Sequence, residues 1–177
     1  MKIHFIRHGH AEHNEGFEKH GSQAYLSEDY RYAALTEKGI EQIKEITMNS
    51  VIQKHYSSPL RRCIQTSRII FGPKPILYLY DGLMETQGPY PCNYREHYDT
   101  FIRSMGRYNL VNMEQNYYPT KIHETKEHMK VRALKTLEDI KADAKGLENI
   151  VIVTHNDWLE AVFDRKFSNG EVYSLEY

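Results

Sequence analysis

Asn149-Ile150-Val151-Ile152-Val153-Thr154-His155 is the stretch on which the fold turns. The run from Ile150 to Val153 has no polar face, a pattern strands show when both sides of their sheet are covered. Just before it, Met129, Ala133, Leu137, Ile140 and Ala144 fall near one helical face within residues 124–144, which predicts a long amphipathic helix. A helix feeding a doubly covered strand is the building unit of a parallel α/β sheet. Working outward, residues 2–7 place Ile3, Phe5 and Ile6 in a short strand that runs into a loop at Gly9. Ile40, Ile43 and Ile46 predict a helix capped by Thr36 and ending near Met48. Residues 50–56 read as a second strand, after which Ser57-Ser58-Pro59 offers a cap and a first-turn proline. The helix expected there carries Leu60, Cys63, Ile64, Ser67 and Ile70, and residues 75–79 form another short strand.

These elements predict an α/β three-layer sandwich, with a parallel-rich central sheet flanked by helices and ligands bound at the carboxyl ends of the strands. The 177 residues suit one domain spanning 1–177, large enough to bury roughly 70% of its unfolded surface. Residues about 86–120, rich in Tyr, Arg and Asn from 90 to 118, are expected to form a cap over the site. With 40% hydrophobic and 27% charged residues, and no apolar run near the ~20 residues of a membrane span, a soluble chain without a membrane partner is expected. The opening residues 1–8 interrupt any secretory signal, so a cytoplasmic location and reduced Cys63 and Cys92 follow. A net charge of -1 supplies no basic field for nucleic acid, so an anion site would have to be local.

Arg7-His8-Gly9 followed by Asn14 sets a cation, an imidazole and a glycine at one strand end, a suitable arrangement for capturing phosphate beside a nucleophile. The glycine is read as room for substrate against the backbone. Taken alone, the triplet is far more often an ordinary polar turn. It is followed in order by Ser58-Pro59-Leu60-Arg61-Arg62-Cys63-Ile64-Gln65-Thr66, by Leu83-Met84-Glu85, and by Val153-Thr154-His155 at the end of the best strand.

In that order the four segments resemble the histidine phosphatase superfamily, which includes the cofactor-dependent phosphoglycerate mutases, from Met1 to about Val162. The resemblance implies a phosphoglycerate mutase-like fold and a phosphohistidine mechanism. His8 would be the nucleophile, Arg7, Arg62, Asn14 and His155 the phosphate-binding groups, and Glu85 the general acid and base. Arg61 would be peripheral, and Thr36 and Gly39 structural. Two departures stand out: Asn156 follows His155 where glycine is common, and Glu85-Thr86-Gln87-Gly88 is one residue shorter to its glycine than in the mutases. The second departure and the short chain favour a phosphatase acting on a small phosphorylated substrate. The alternatives are a mutase-type phosphotransferase and a silent module that binds phosphorylated ligands.

The chemistry asks for charge stabilisation of three equatorial oxygens, which two arginines can supply without a metal or other cofactor. A transition-metal site on His8, His10, His13 and His155 lacks zinc-like spacing and accompanying ligands, so His10 and His13 read as pocket wall or solvent-facing. Cys63 reads as a buried structural thiol and Cys92 as a loop residue at the rim. Arg95 is divided between substrate contact and an ion pair with Glu96 or another acid. Tyr98, Phe101, Ile102 and Met105 have the spacing of a core helix face. Tyr90, Tyr94 and Arg95 would suit a sugar phosphate, another small acid or a phosphopeptide.

Overall fold

The computed structural model describes residues 1–103 and 108–177. In chain order its regular elements are β1 (Lys2–Arg7), α1 (Glu12–His20), α2 (Glu37–Lys44), β2 (Lys54–Ser57), α3 (Arg61–Phe71), β3 (Leu77–Tyr80), α4 (Tyr98–Arg103), β4 (Tyr108–Asn112), α5 (Lys126–Asp143), β5 (Asn149–Thr154), α6 (Asn156–Phe163) and β6 (Val172–Glu176). The sheet runs β4-β3-β2-β5-β1-β6. Every pairing is parallel except that of β6 with β1.

β5 lies between β1 and β2, which is why its sequence is apolar on both faces. Ile150 and Ile152 join Ile3, Phe5 and Tyr56 beneath Met129, Leu137 and Ile140 of α5 and Trp158 of α6. Val151 and Val153 point the other way, to Ile6, Cys63 of α3 and the partly buried Ile46, Ile70 and Phe71. Strand alternation thus feeds two cores, one on each face, and the three-layer α/β arrangement is the observed one.

The strands β1 and β5 occupy the residues expected of them, and α5 starts where Thr125 caps it by accepting the His128 N–H at 3.2 Å. Several boundaries differ. α2 stops at Lys44 rather than near Met48. β2 begins only at Lys54, and Val51, expected in that strand, is 84% exposed. Pro59 does not sit in the first turn of α3, because Leu60 is the capping residue and the helix opens at Arg61. Of the expected core face on α4, Phe101 is buried but Ile102 is 62% exposed, since the short helix rests one edge only against β3. Met105 lies outside the described residues. The segment 86–120 divides: residues up to Asn93 approach the strand ends, whereas α4 and β4 extend the sheet at its far edge. Among the described residues no helix is long and apolar enough to cross a membrane.

α2 is fixed to the loop after β1 by two devices. Thr36 accepts the Gly39 N–H at 3.1 Å, and the Thr36 N–H donates to the His10 carbonyl at 3.0 Å. Gly39 then packs against that same peptide so closely that an added Cβ would lie 1.9 Å from the His10 carbonyl oxygen. Gly39→Ala should therefore destabilise the protein by about 2 kcal/mol through backbone displacement. Urea unfolding at neutral pH measures the change, and an unchanged midpoint would mean that the loop and helix separate freely.

Candidate active site

Parallel pairing brings three strand ends side by side. Arg7 is in register with Thr154 and Ser57 with Val153, so His8, His155 and Ser58 follow adjacent strands at one edge of the sheet. The His8 N–H donates to the Thr154 carbonyl at 3.0 Å and the Ser58 N–H to the Val153 carbonyl at 3.0 Å, extending the ladders by one residue. The rings of His8 and His155 lie 5.1 Å apart, centroid to centroid. Both residues are buried.

Two contacts set the tautomer of His8. Its Nδ1 lies 2.7 Å from the Gly9 carbonyl oxygen, which can only accept, so Nδ1 carries the proton. Arg62 Nε donates to His8 Nε2 at 3.2 Å, so Nε2 holds the lone pair. Burial, and then the positive charges of Arg62 and Arg7, hold the His8 pKa well below the ordinary imidazole value. The same causes, burial foremost, keep His155 and His13 neutral. His155 caps α6 and meets the Ser58 hydroxyl at 2.8 Å through Nε2.

Arg62 sits in the first turn of α3, 1% exposed. Besides His8, its guanidinium donates through Nη1 to the Cys92 carbonyl at 2.6 Å and through Nη2 to Asn93 Oδ1 at 3.0 Å. Arg7 is held by donation from Nη1 to the Phe167 carbonyl. Arg7 Nε and His13 Nδ1 are buried with no hydrogen-bond partner among the described residues. Asn14 Nδ2 donates to His13 Nε2 at 3.3 Å, which leaves the proton of the neutral His13 ring on Nδ1. Unpaired buried donors are costly, and an anion is a partner that would relieve them. Asn14 also bonds back from Oδ1 to the Ala11 N–H at 3.0 Å, stabilising the start of α1.

Glu85 enters from the turn after β3. That turn is fixed by Thr154 Oγ1 donating to Leu83 O at 2.8 Å and by Trp158 Nε1 donating to Gly82 O at 3.0 Å. Arg132 of α5 adds donation to the carbonyls of Gly82 and Met84, each at 2.9 Å. Burial, and next the neighbouring Asp157 carboxylate, push the Glu85 pKa up to about 8, against the lowering influence of Arg62 and Arg7. Thr86 links the two acids: its N–H donates to Glu85 Oε1 at 3.0 Å and its hydroxyl to Asp157 Oδ2 at 2.7 Å.

Arg7, His8, Asn14 and Glu85 therefore line one cavity of about 530 Å³, with His13, Tyr25, Tyr90 and Asp157 among its other walls. Arg62 and His155 do not line it but lie behind His8, Arg62 through its bond to Nε2 and His155 with its ring 5.1 Å from that of His8. Two readings need correction, and the divided reading of Arg95 resolves to its ion pair. Arg95 is not in this cavity: its buried guanidinium grips both carboxylate oxygens of Asp81, at 2.6 and 2.9 Å, and donates to the carbonyls of Glu96 and Glu114. Gly9 does not make room for substrate, since a Cβ there would meet Ile43 Cγ1 at 2.6 Å and Gly39 O at 3.0 Å. His10 is neither pocket wall nor solvent-facing, being buried with Nδ1 at 2.8 Å from Thr36 Oγ1 and Nε2 at 3.1 Å from Glu18.

His13 does form pocket wall, and Cys63 is buried with its pKa pushed up to about 12. Cys92 is buried too, its thiol pushed up to about 11, and what it offers the site is its carbonyl oxygen. Asp157 and Asn93 were missed. Asp157 could have been found as an acid in the first turn of a helix that follows a strand-end histidine, whereas nothing local marks Asn93. Among the described residues no group of three or more His, Cys, Asp or Glu side chains is arranged to hold a metal.

The family model of the histidine phosphatase superfamily, branch 1, matches residues 3–170. No curated protein matches the sequence. Among solved structures, an alpha-ribazole phosphatase from Shigella flexneri gives a TM-score of 0.67 at 18% identity, over 99% of this chain and 90% of that one. A phosphoserine phosphatase from Entamoeba histolytica, in complex with 3-phosphoglyceric acid, gives 0.66 at 19% identity over 98% and 89%. A phosphoglycerate mutase from Bacillus anthracis gives 0.66 at 18% identity over 98% and 86%. At such identities the likeness establishes a phosphoglycerate mutase-like fold.

The buried neutral histidines make stability depend on pH. Below ~6.5 the unfolded chain takes up protons at His8, His13 and His155 that the fold excludes, so stability falls as pH drops through that value. Glu85 acts in the opposite sense, because its raised pKa gives the folded state the extra proton between ~4.5 and about 8. Three groups outweigh one. The unfolding free energy should fall between pH 6.5 and 5, and His13→Gln should flatten that fall by roughly one proton; equal slopes for the two proteins in denaturant melts would show that His13 titrates normally in the fold.

Proposed function

Because this chain belongs to the histidine phosphatase superfamily, we propose that it is a phosphatase which hydrolyses a small phosphate monoester through a phosphohistidine on His8. The observation that carries the reading is the state of that ring: buried, neutral, protonated on Nδ1 by the Gly9 contact, and with the Nε2 lone pair directed at a guanidinium. An imidazole must be in this form to attack phosphorus.

In the first step the Nε2 lone pair forms the N–P bond as the ester P–O bond breaks. The attack releases Arg62 Nε–H from His8 Nε2, and with one N–H each committed to Cys92 and Asn93, three of the five Arg62 donors are then available to phosphoryl oxygens. Arg7 Nε and His13 Nδ1 supply further donors, and Asn14 and His155 complete the cage. Glu85, protonated at neutral pH, gives its proton to the departing alkoxide. In the second step the Glu85 carboxylate takes a proton from water, the water oxygen bonds to phosphorus, and the N–P bond breaks to restore the His8 lone pair. The retention of Arg7, His8, Arg62, Glu85 and His155 speaks for an enzyme over a silent binding module. Within one domain, residues 86–93 act as the cap, and α4 and β4 belong to the sheet edge.

Wild-type protein should release phosphate from at least one member of a panel of small monoesters, and His8→Ala should lower the rate by at least 10³-fold, since it removes the group that makes the covalent intermediate. Wild-type protein denatured with detergent at alkaline pH should carry label from a 32P ester that acid releases and base does not. Transfer of the label to a second alcohol in preference to water would instead identify a mutase. The rate of the first step should fall as pH rises through about 8, when Glu85 loses the proton it must donate. Glu85→Gln should remove this alkaline limb along with most of the rate, and a limb that survives the substitution would assign the acid to another group.

A further inference from the structure

The wall of the cavity beyond the phosphoryl cage has a definite charge. Among the described residues that line it, Arg7 is the only arginine or lysine, and its Nη1 is committed to the Phe167 carbonyl. The remaining wall includes Tyr25, Leu26, Pro89, Tyr90, His123 and Asp157. His123 is engaged through Nδ1 with the Tyr90 hydroxyl at 2.9 Å. Asp157 is exposed at the mouth and fixed in place, with Oδ2 accepting from Thr86 Oγ1 at 2.7 Å and Oδ1 from Asn156 Nδ2 at 3.1 Å. Neither donor is a cation, and the carboxylate oxygens have further lone pairs for a ligand.

We propose that this pocket selects phosphate monoesters whose alcohol end carries an ammonium group, which Asp157 receives, and disfavours those whose alcohol end carries a carboxylate or second phosphate. A carboxylate there would have no cation of its own in the wall and would face Asp157 at short range. Lysines 126, 130 and 166 line an adjoining groove, together with Glu160 and Asp164. The groove meets the cavity at Thr86, His123, Asn156 and Asp157, so an anionic group bound for those lysines passes Asp157. The tyrosines, with Leu26 and Pro89, suit the short apolar stem of such an amino alcohol. This inference rests on the reading that the phosphoryl group sits at His8.

Three esters of nearly one size separate charge from shape: phosphoethanolamine, the phosphate of ethylene glycol, and phosphoglycolate. For unit charges about 5 Å apart in a watery setting, kcat/KM should rise roughly fivefold from the glycol ester to phosphoethanolamine and fall by a similar factor to phosphoglycolate. Asp157→Asn should bring the three within about twofold, and Asp157→Lys should reverse the order. Asp157 also influences Glu85, but that influence acts on all three esters alike and cancels in their ratios. Calorimetric binding of the same esters to His8→Ala provides the order without turnover. Equal affinities, or preference for phosphoglycolate, would overturn the proposal and in the latter case point to the groove lysines. The expected order in binding, combined with no turnover of any ester by the wild type, would uphold it and overturn the catalytic reading instead.

Discussion

β1 and β5 pair in parallel with Arg7 opposite Thr154, and one further bond, from the His8 N–H to the Thr154 carbonyl, carries the ladder past the last paired residues. Because both strands point the same way, their next residues, His8 and His155, emerge together at one edge. A slip of one residue would send Ile150 and Ile152 to the wrong core and would part the two rings. The two cores on opposite faces hold the register, so the same burial that makes the protein stable aligns the imidazoles. Arg62 and Glu85 are then brought in by elements that have to cover those faces, α3 directly and the turn after β3 through its bonds to Thr154 and Trp158.

Electrostatics suits this gathering to an anion. Two guanidinium groups and three neutral imidazoles share a buried space whose nearest carboxyl group is held protonated by that same burial and by Asp157. Water-poor surroundings strengthen attraction for a dianionic phosphoryl group as much as they penalise an unpaired charge. Arg7 Nε and His13 Nδ1, left without protein partners, are where that penalty is visible.

The sequence made some of this legible and hid the rest for physical reasons. His8 and His155 were readable because each directly follows an apolar strand, and local hydrophobic pattern marks strand ends well. Arg62 was readable from the segment resemblance, although Pro59 suggested a helix start two residues too early. Arg95 misled because a free arginine and one buried against Asp81 look identical in one dimension. Gly9 misled for a related reason: its space is taken by Ile43 and Gly39, which lie about thirty residues away in the chain. The anchors of both site arginines include main-chain carbonyls, of Cys92 and Phe167, and a carbonyl has no letter of its own. The pKa of Glu85 depends on a pairing with Asp157 that only the folded chain creates.

The grip of Cys92 and Asn93 on Arg62 couples two properties that might be imagined as independent. The segment that shapes one wall of the cavity, from Thr86 to Asn93, is also a bracket for the buried Arg62 guanidinium. A lineage changing its substrate by remodelling that wall is free to vary residues such as Pro89 and Tyr90 but is restrained at the end of the segment, where any movement of the backbone would be transmitted to the guanidinium. New specificities in a protein built this way should therefore arise by side-chain replacement on a fixed backbone, with insertions and deletions confined to places that do not touch the bracket.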